Sequence, residues 1–239
     1  NRSGRNILAA IAPDPPPSCS VDAGMQVPLP RSRVVAVDDG TASTVDFRAC
    51  PDLRPSGAPH TGRWTVLPGG RVRILPLCAE HPSQFLFFHL GRGSVDEEQC
   101  VLPPRANDWR EGLTVSFLVD FLDGNGVPAF RVYYQDAPAN APLGHVPADV
   151  LAEKRVDVLF SCVGTYDQVE RHPEAIIESL QPRYVLSAHD PFLDLNAYVA
   201  RAEAVTPGPP DAPLVVDGVD VPARHLLVQP GSVITVPPP

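Results

Sequence analysis

The chain has 239 residues, 44% hydrophobic and 20% charged, a composition that fits a globular protein with one large core or two small ones. Its net charge of −9 and the lack of any Lys/Arg cluster argue against a nucleic-acid partner, because phosphate binding needs a basic surface. No apolar run approaches the roughly 18 residues that would span a bilayer. Thirty prolines, and one lysine (Lys154) among 19 basic residues, read as GC-rich codon bias before they read as mechanism. No signal-peptide pattern is read in the opening residues, the first residue is Asn1 and the only methionine is Met25, so the start is expected to be processed or trimmed.

In chain order, residues 6–11 suggest a short helix, cut off by "PDPPPSCS". Residues 13–32 and 51–62 have the composition of Pro-rich loops or insertions. Between them, 33–37 reads as a strand and "STVDFRAC" as a weaker one. "RWTVLPGGRVRILPLCAEH" predicts two strands around Pro68-Gly69-Gly70, the second ending near His81. After "SQFLFFHLGRGSV" and an irregular Pro-rich segment, a hairpin is expected: strand 114–121, turn 123–126, strand 129–135. Its Asp-Gly and Asn-Gly pairs tolerate the positive φ of tight turns.

"KRVDVLFSCVG" is an unbroken apolar run, the pattern of a strand covered on both faces. "HPEAIIESLQP" follows as a helix with Pro173 in its first turn, and "RYVLSAHD" as another buried strand ending near His189. Strand, helix, strand in this order predicts a βαβ unit and an α/β class with mixed sheets and antiparallel hairpins, residues 1–239 forming a single domain. "NAYVARAEAV" is expected to be helical, and 205–239 a tail of short β-like pieces.

Three polar residues close three apolar strands: His81, Asp136 and His189. Strand ends entering loops are where α/β scaffolds present chemistry, and imidazole with carboxylate is a donor set suited to Zn²⁺. A cap or turn role is the commoner fate of such residues. The remaining histidines have plainer readings: His145 in a surface loop, His172 beside a helix start, His89 packed at a strand end, His60 and His225 in Pro-rich loop. Asp167 suits either a site-lining role or a helix N-cap, and Gly164 a tight turn. Trp64 and Trp109 read as packing anchors, and Ser161 and Ser187 lack the context of a nucleophile elbow. The five cysteines contain no C-x-x-C pair; two bridges plus one free thiol, or five thiols, both fit the count, with Cys162 read as a small core residue.

"LCAEHPSQF", "FRVYYQDAP", "VDVLFSCVGTYDQVERHPEAIIESLQPRYVLSAHDPF" and "QPGSVI" resemble the later portion of the metallo-β-lactamase-fold metal-dependent hydrolases, over roughly residues 64–195. The resemblance implies that the chain is the C-terminal portion of a four-layer αββα sandwich. It also implies a binuclear zinc-type centre acting on a small-molecule substrate. His81 would then ligate the first metal, Asp136 would bridge both and position the hydroxide nucleophile, and His189 would complete the second. The family signature H-x-H-x-D-H is absent, and no H-x-H occurs at all. The resemblance therefore implies a companion N-terminal half, as a separate or clipped chain, that supplies the other ligands. Where the family commonly follows its last histidine with an aromatic and an acid, this chain has "HDPFL". Relatives of this subgroup often carry export signals, which leans the expectation towards an extracytoplasmic location. The competing account is a non-catalytic, degenerate relative or fragment serving as a structural or binding component.

Overall fold

In the computed structural model, the described residues are 61–62, 64–82, 105, 114–188, 195–206, 208, 210–229 and 231–238. The helix at 6–11, the strands at 33–37 and in "STVDFRAC", the loop at 13–32, most of 51–62, "SQFLFFHLGRGSV", Trp109, His60, His89 and His189 lie outside them.

The hairpins appear where the turn residues place them. Strand β1 (Thr65–Val66) and β2 (Val72–Cys78) flank the Pro68-Gly69-Gly70 turn. Gly69 and Gly70 both take positive φ, which the missing Cβ permits. Residues 61–62, expected to be loop, also pair along β2: Thr61 bridges to Leu77, and the Gly62 N–H donates to the Pro76 carbonyl. Strand β3 (Val115–Leu122) and β4 (Pro128–Tyr134) form the predicted hairpin, shifted by about one residue and with a register break at Phe121/Leu122. Asp123 closes that turn by accepting the N–H groups of Asn125 and Val127 on its carboxylate.

From β4 onwards the pairing becomes parallel. β5 (Val158–Ser161), β6 (Tyr184–Ala188) and β9 (His225–Val228) follow in sheet order β1-β2-β3-β4-β5-β6-β9. Helix α1 (Ala148–Glu153) links β4 to β5, and α2 (Glu174–Leu180) links β5 to β6, as the βαβ reading required. Helix α1 is an addition to the sequence reading, whose signal, Pro147 ahead of "ADVLAE", is short. Pro173 sits one place earlier than expected, at the N-cap of α2. Helix α3 (Leu195–Val205) precedes β9, and the tail adds a second sheet, β10-β7-β8, from β7 (Leu214–Val216), β8 (Val219–Val221) and β10 (Ile234–Thr235).

Cross-strand partners sort the large sheet into two faces. Leu75, Leu77, Leu118, Tyr133, Leu159 and Val185 share one face, packed with Ile176, Ile177 and Leu180 of α2, Ala202 of α3 and Val150 and Leu151 of α1. On the other face, Val158, Tyr184 and Leu186 pack against Leu214, Val216 and Ile234 of the small sheet. The α/β class with a large mixed sheet is therefore established. The second sheet among the described residues is three short strands.

Candidate active site

Strands β2, β4, β5, β6 and β9 run in the same direction, so their carboxyl ends reach one edge of the sheet. His81 lies three residues beyond the last residue of β2, and Asp136 two beyond the last residue of β4. His189 directly follows Ala188, which ends β6, but lies outside the described residues.

Neighbouring strands stand about 4.8 Å apart, so the ends of β2 and β4, with β3 between them, start about 10 Å apart. The loops after them close that gap. The Cys78 carbonyl accepts the Gly144 N–H at 2.7 Å, and Cys78 and Ala79 pack with Ala139 and Leu143. Gly144 suits this turn by its backbone conformation and not by its size. Its φ is +69°, and a Cβ there would stand 3.5 Å from the Tyr133 hydroxyl and 3.7 Å from the Ala79 Cβ. The buried Tyr133 hydroxyl donates to the Gly144 carbonyl and holds the loop from beneath. The loops bearing His81 and Asp136 are thereby joined.

The His81 ring is half-buried, and its Nδ1 lies 2.7 Å from the Pro82 carbonyl oxygen. A carbonyl can only accept, so Nδ1 carries the hydrogen. That is the arrangement of metal-ligating histidines, in which one ring nitrogen donates to a backbone or carboxylate oxygen and the other faces the metal. The Asp136 side chain is exposed, and among the described residues no salt bridge takes up its carboxylate. Burial, with smaller contributions from the charges of Asp136 and Cys162, raises the Tyr134 hydroxyl above the usual tyrosine range. A zinc ion thus fits the donor chemistry of His81 and Asp136. Among the described residues, however, no group of three or more His, Cys, Asp or Glu is arranged to hold a metal.

Beneath the edge lies a buried polar layer that the sequence reading missed. Ser161 and Tyr198 share a hydrogen bond, Gln135 Oε1 stands 3.4 Å from both Ser161 Oγ and the Cys162 backbone nitrogen, and Ser187 is buried alongside. Tyr198 belongs to α3 and packs edge-on to Tyr166 at 5.2 Å between ring centres. Burial pushes its hydroxyl up to about 12, so at neutral pH it remains protonated. Among the described residues, Ser161 is thus a structural hydroxyl with a phenol partner and no basic one.

Several plainer expectations need correction. His172 keeps its expected place beside the start of α2, directly before the N-cap Pro173, but it is buried: its Nε2 donates to the Cys162 carbonyl, and desolvation brings its pKa down to about 4. His145 is half-buried and lowered in pKa by desolvation, so it is not a surface histidine. His225 opens strand β9 and its Nε2 bonds the Thr206 hydroxyl. The left-handed turn after β5 is made by Thr165 (φ +54°), not by Gly164. Asp167 lies inside a one-turn 3₁₀ segment, Tyr166–Gln168, whose N-cap is Thr165. Cys162 is half-buried and not in a disulfide, and it is not a core residue, whereas Cys78 is disulfide-bonded. Trp64 does act as a packing anchor: it lies against the main core and carries the Arg73 guanidinium 4.1 Å from its ring centre.

Comparison with known proteins identifies no relative: no protein-family model, curated protein or solved structure matches the chain.

Proposed function

We propose that this chain contributes His81, Asp136 and His189 to a binuclear, zinc-type centre of a metal-dependent hydrolase acting on a small-molecule substrate. A companion segment carries the remaining ligands. The observation that supports the reading is the joining of two candidate ligand loops, 79–82 and 137–144, at the sheet edge where β6 also ends. Strand ends of parallel α/β sheets are where ligands are taken up in this class. Asp136 contributes an exposed carboxylate whose two oxygens suit a shared ligand, and His81 contributes an imidazole oriented through Nδ1. A divalent pair bound there would supply an activated water at neutral pH and polarise the bond to be cleaved. Tyr198, Ser161 and Gln135 support the floor of the site, and Tyr198 keeps its proton at neutral pH. The bridge at Cys78 supports an oxidising, extracytoplasmic compartment.

Zinc content of the purified chain, alone and with any companion polypeptide, tests the proposal. Stoichiometric zinc that is lost in Asp136→Ala supports it. Substoichiometric zinc, unchanged by Asp136→Ala or His189→Ala, rejects it. The second reading, a non-catalytic binding component, draws on the lack of a three-ligand group among the described residues. It predicts that Asp136→Ala changes neither zinc content nor any hydrolytic activity.

A further inference from the structure

We infer that Tyr198 is a positioning residue for Asp136, acting through Ser161 and Gln135 on the end of β4 from which Asp136 departs. Only its consequence for metal binding rests on the hydrolase reading. The groups involved span three neighbouring strands. Gln135 directly follows β4, Ser161 is the last residue of β5, and Ser187 on β6 is the cross-strand partner of Ser161, so both serines face the same way. Tyr198 comes in from α3. Its hydroxyl bonds Ser161, and Ser187 is a further hydrogen-bonding neighbour of that hydroxyl. All four side chains are buried.

The direction of the bonds follows from what each group can do. The Gln135 amide oxygen only accepts, and it lies 3.4 Å from both the Ser161 hydroxyl and the Cys162 main-chain nitrogen. Ser161 therefore gives its one hydrogen to Gln135 and accepts the hydrogen of Tyr198. Gln135 is also tied through its main chain, its N–H donating to the Phe160 carbonyl at 2.9 Å. Fastened to β5 by main chain and side chain at once, Gln135 fixes the peptide that leads to Asp136. The Asp136 Cα lies one peptide, about 3.8 Å, farther on. The Asp136 side chain is exposed, so its bearing is set by where the backbone points it. In a buried network each bond lines up the next. Removing the phenol oxygen should therefore loosen first the Ser161 hydroxyl, then the Gln135 amide, then Asp136. Tyr198→Phe does this while keeping the ring that packs edge-on to Tyr166.

The test compares the full chain with Tyr198→Phe and with Leu180→Ala, a core truncation in α2 outside this chain of bonds. The readouts are the NMR signals of the Gln135 side-chain amide and the Asp136 carboxyl carbon, Co²⁺ uptake followed by its absorption, and far-UV circular dichroism. In Tyr198→Phe both signals should shift or broaden. Affinity for Co²⁺ should fall about tenfold, the low end for lost support of a metal ligand, with the dichroism unchanged. Leu180→Ala should lower stability and leave both signals in place. An Asp136 signal identical in Tyr198→Phe and the parent chain overturns the inference, whatever the cobalt does, and so does one that Leu180→Ala moves as far. If the parent chain takes up no Co²⁺ yet Tyr198→Phe moves the Asp136 signal, the hydrolase reading falls and the positioning role stands. Should Tyr198→Phe fail to fold, Ser161→Ala is read by the same signals.

Discussion

At one end of the seven-stranded sheet, charges are buried and paired; at the other, the buried groups are neutral and the charges are exposed. The first end is built around Arg131, which is 0% exposed and meets the equally buried Asp120 through two bonds, at 2.6 and 2.8 Å. Its Nη1 also donates to the carbonyls of Val150 and Lys154, both at 2.6 Å, so the guanidinium serves the open carbonyl end of α1. Arg73 and Glu153 extend the network, and Asp157 accepts the Arg131 backbone N–H while pairing with Lys154 and Arg183. The second end holds Gln135, Ser161, Ser187 and Tyr198 beneath the exposed Asp136 and the loops above it. Buried ion pairs tolerate no missing partner, whereas an exposed carboxylate is replaceable for folding and free for other use. The difference separates what the fold needs from what a function can take.

Four experiments would break or sharpen that contrast. The largest effect is expected at the charged end. Asp120→Ala strands the Arg131 guanidinium in the core and should cost about 3–5 kcal/mol in urea unfolding. Replacing both partners with apolar residues of similar volume should recover most of that loss.

Next is acid sensitivity at the neutral end. The His172 pKa is lowered to about 4, chiefly by desolvation; Glu174 and the hydrogen bond to the Cys162 carbonyl act the other way, and Arg201 and His145 add to the lowering. Because the unfolded chain protonates near the ordinary histidine pKa of about 6.5, it binds more protons than the folded chain between there and about 4. Stability should therefore be undiminished above pH 6.5 and fall as pH drops towards 4, by on the order of 3 kcal/mol. Urea midpoints at pH 7 and 4.5 measure this, and His172→Phe should flatten most of the slope. His225, also lowered to about 4 by desolvation and Arg224 but less buried, should contribute less.

A smaller effect is expected at Gly144. An alanine meets only ordinary contacts there, but φ of +69° strains any side chain, so Gly144→Ala should cost about 1–2 kcal/mol. If the two loops are coupled as their contacts indicate, the NMR signals of His81 and of residues 136–139 will both shift in this variant. Signals moving only in 136–146 would uncouple them. The smallest stability effect is expected for Asp136→Ala, within about 0.5 kcal/mol because the side chain is exposed. A loss greater than that of Gly144→Ala would make Asp136 a structural residue and dissolve the contrast between the ends.

The sequence made the strands legible wherever periodicity and turn chemistry agreed. Asp123-Gly124-Asn125-Gly126 marked the β3–β4 turn, and the apolar runs at 156–163 and 184–188 marked strands with both faces covered. It also placed His81 and Asp136 at strand ends, a local property. It could not show that β2 and β4 lie two strands apart in the same direction, which is what puts both residues at one edge. Helix α1 escaped because six residues carry too little periodicity, and the closing of its end by Arg131 is a long-range event. The burial of Arg131 and Asp120 was equally invisible, since their types are ones that a single sequence places on the surface. Local composition and period thus determined the elements, because backbone preference and side-chain alternation act over a few residues. Only the tertiary structure decided which polar groups are buried in pairs and which are left exposed at a shared edge, because that depends on strand order and on loops meeting across distant stretches of chain.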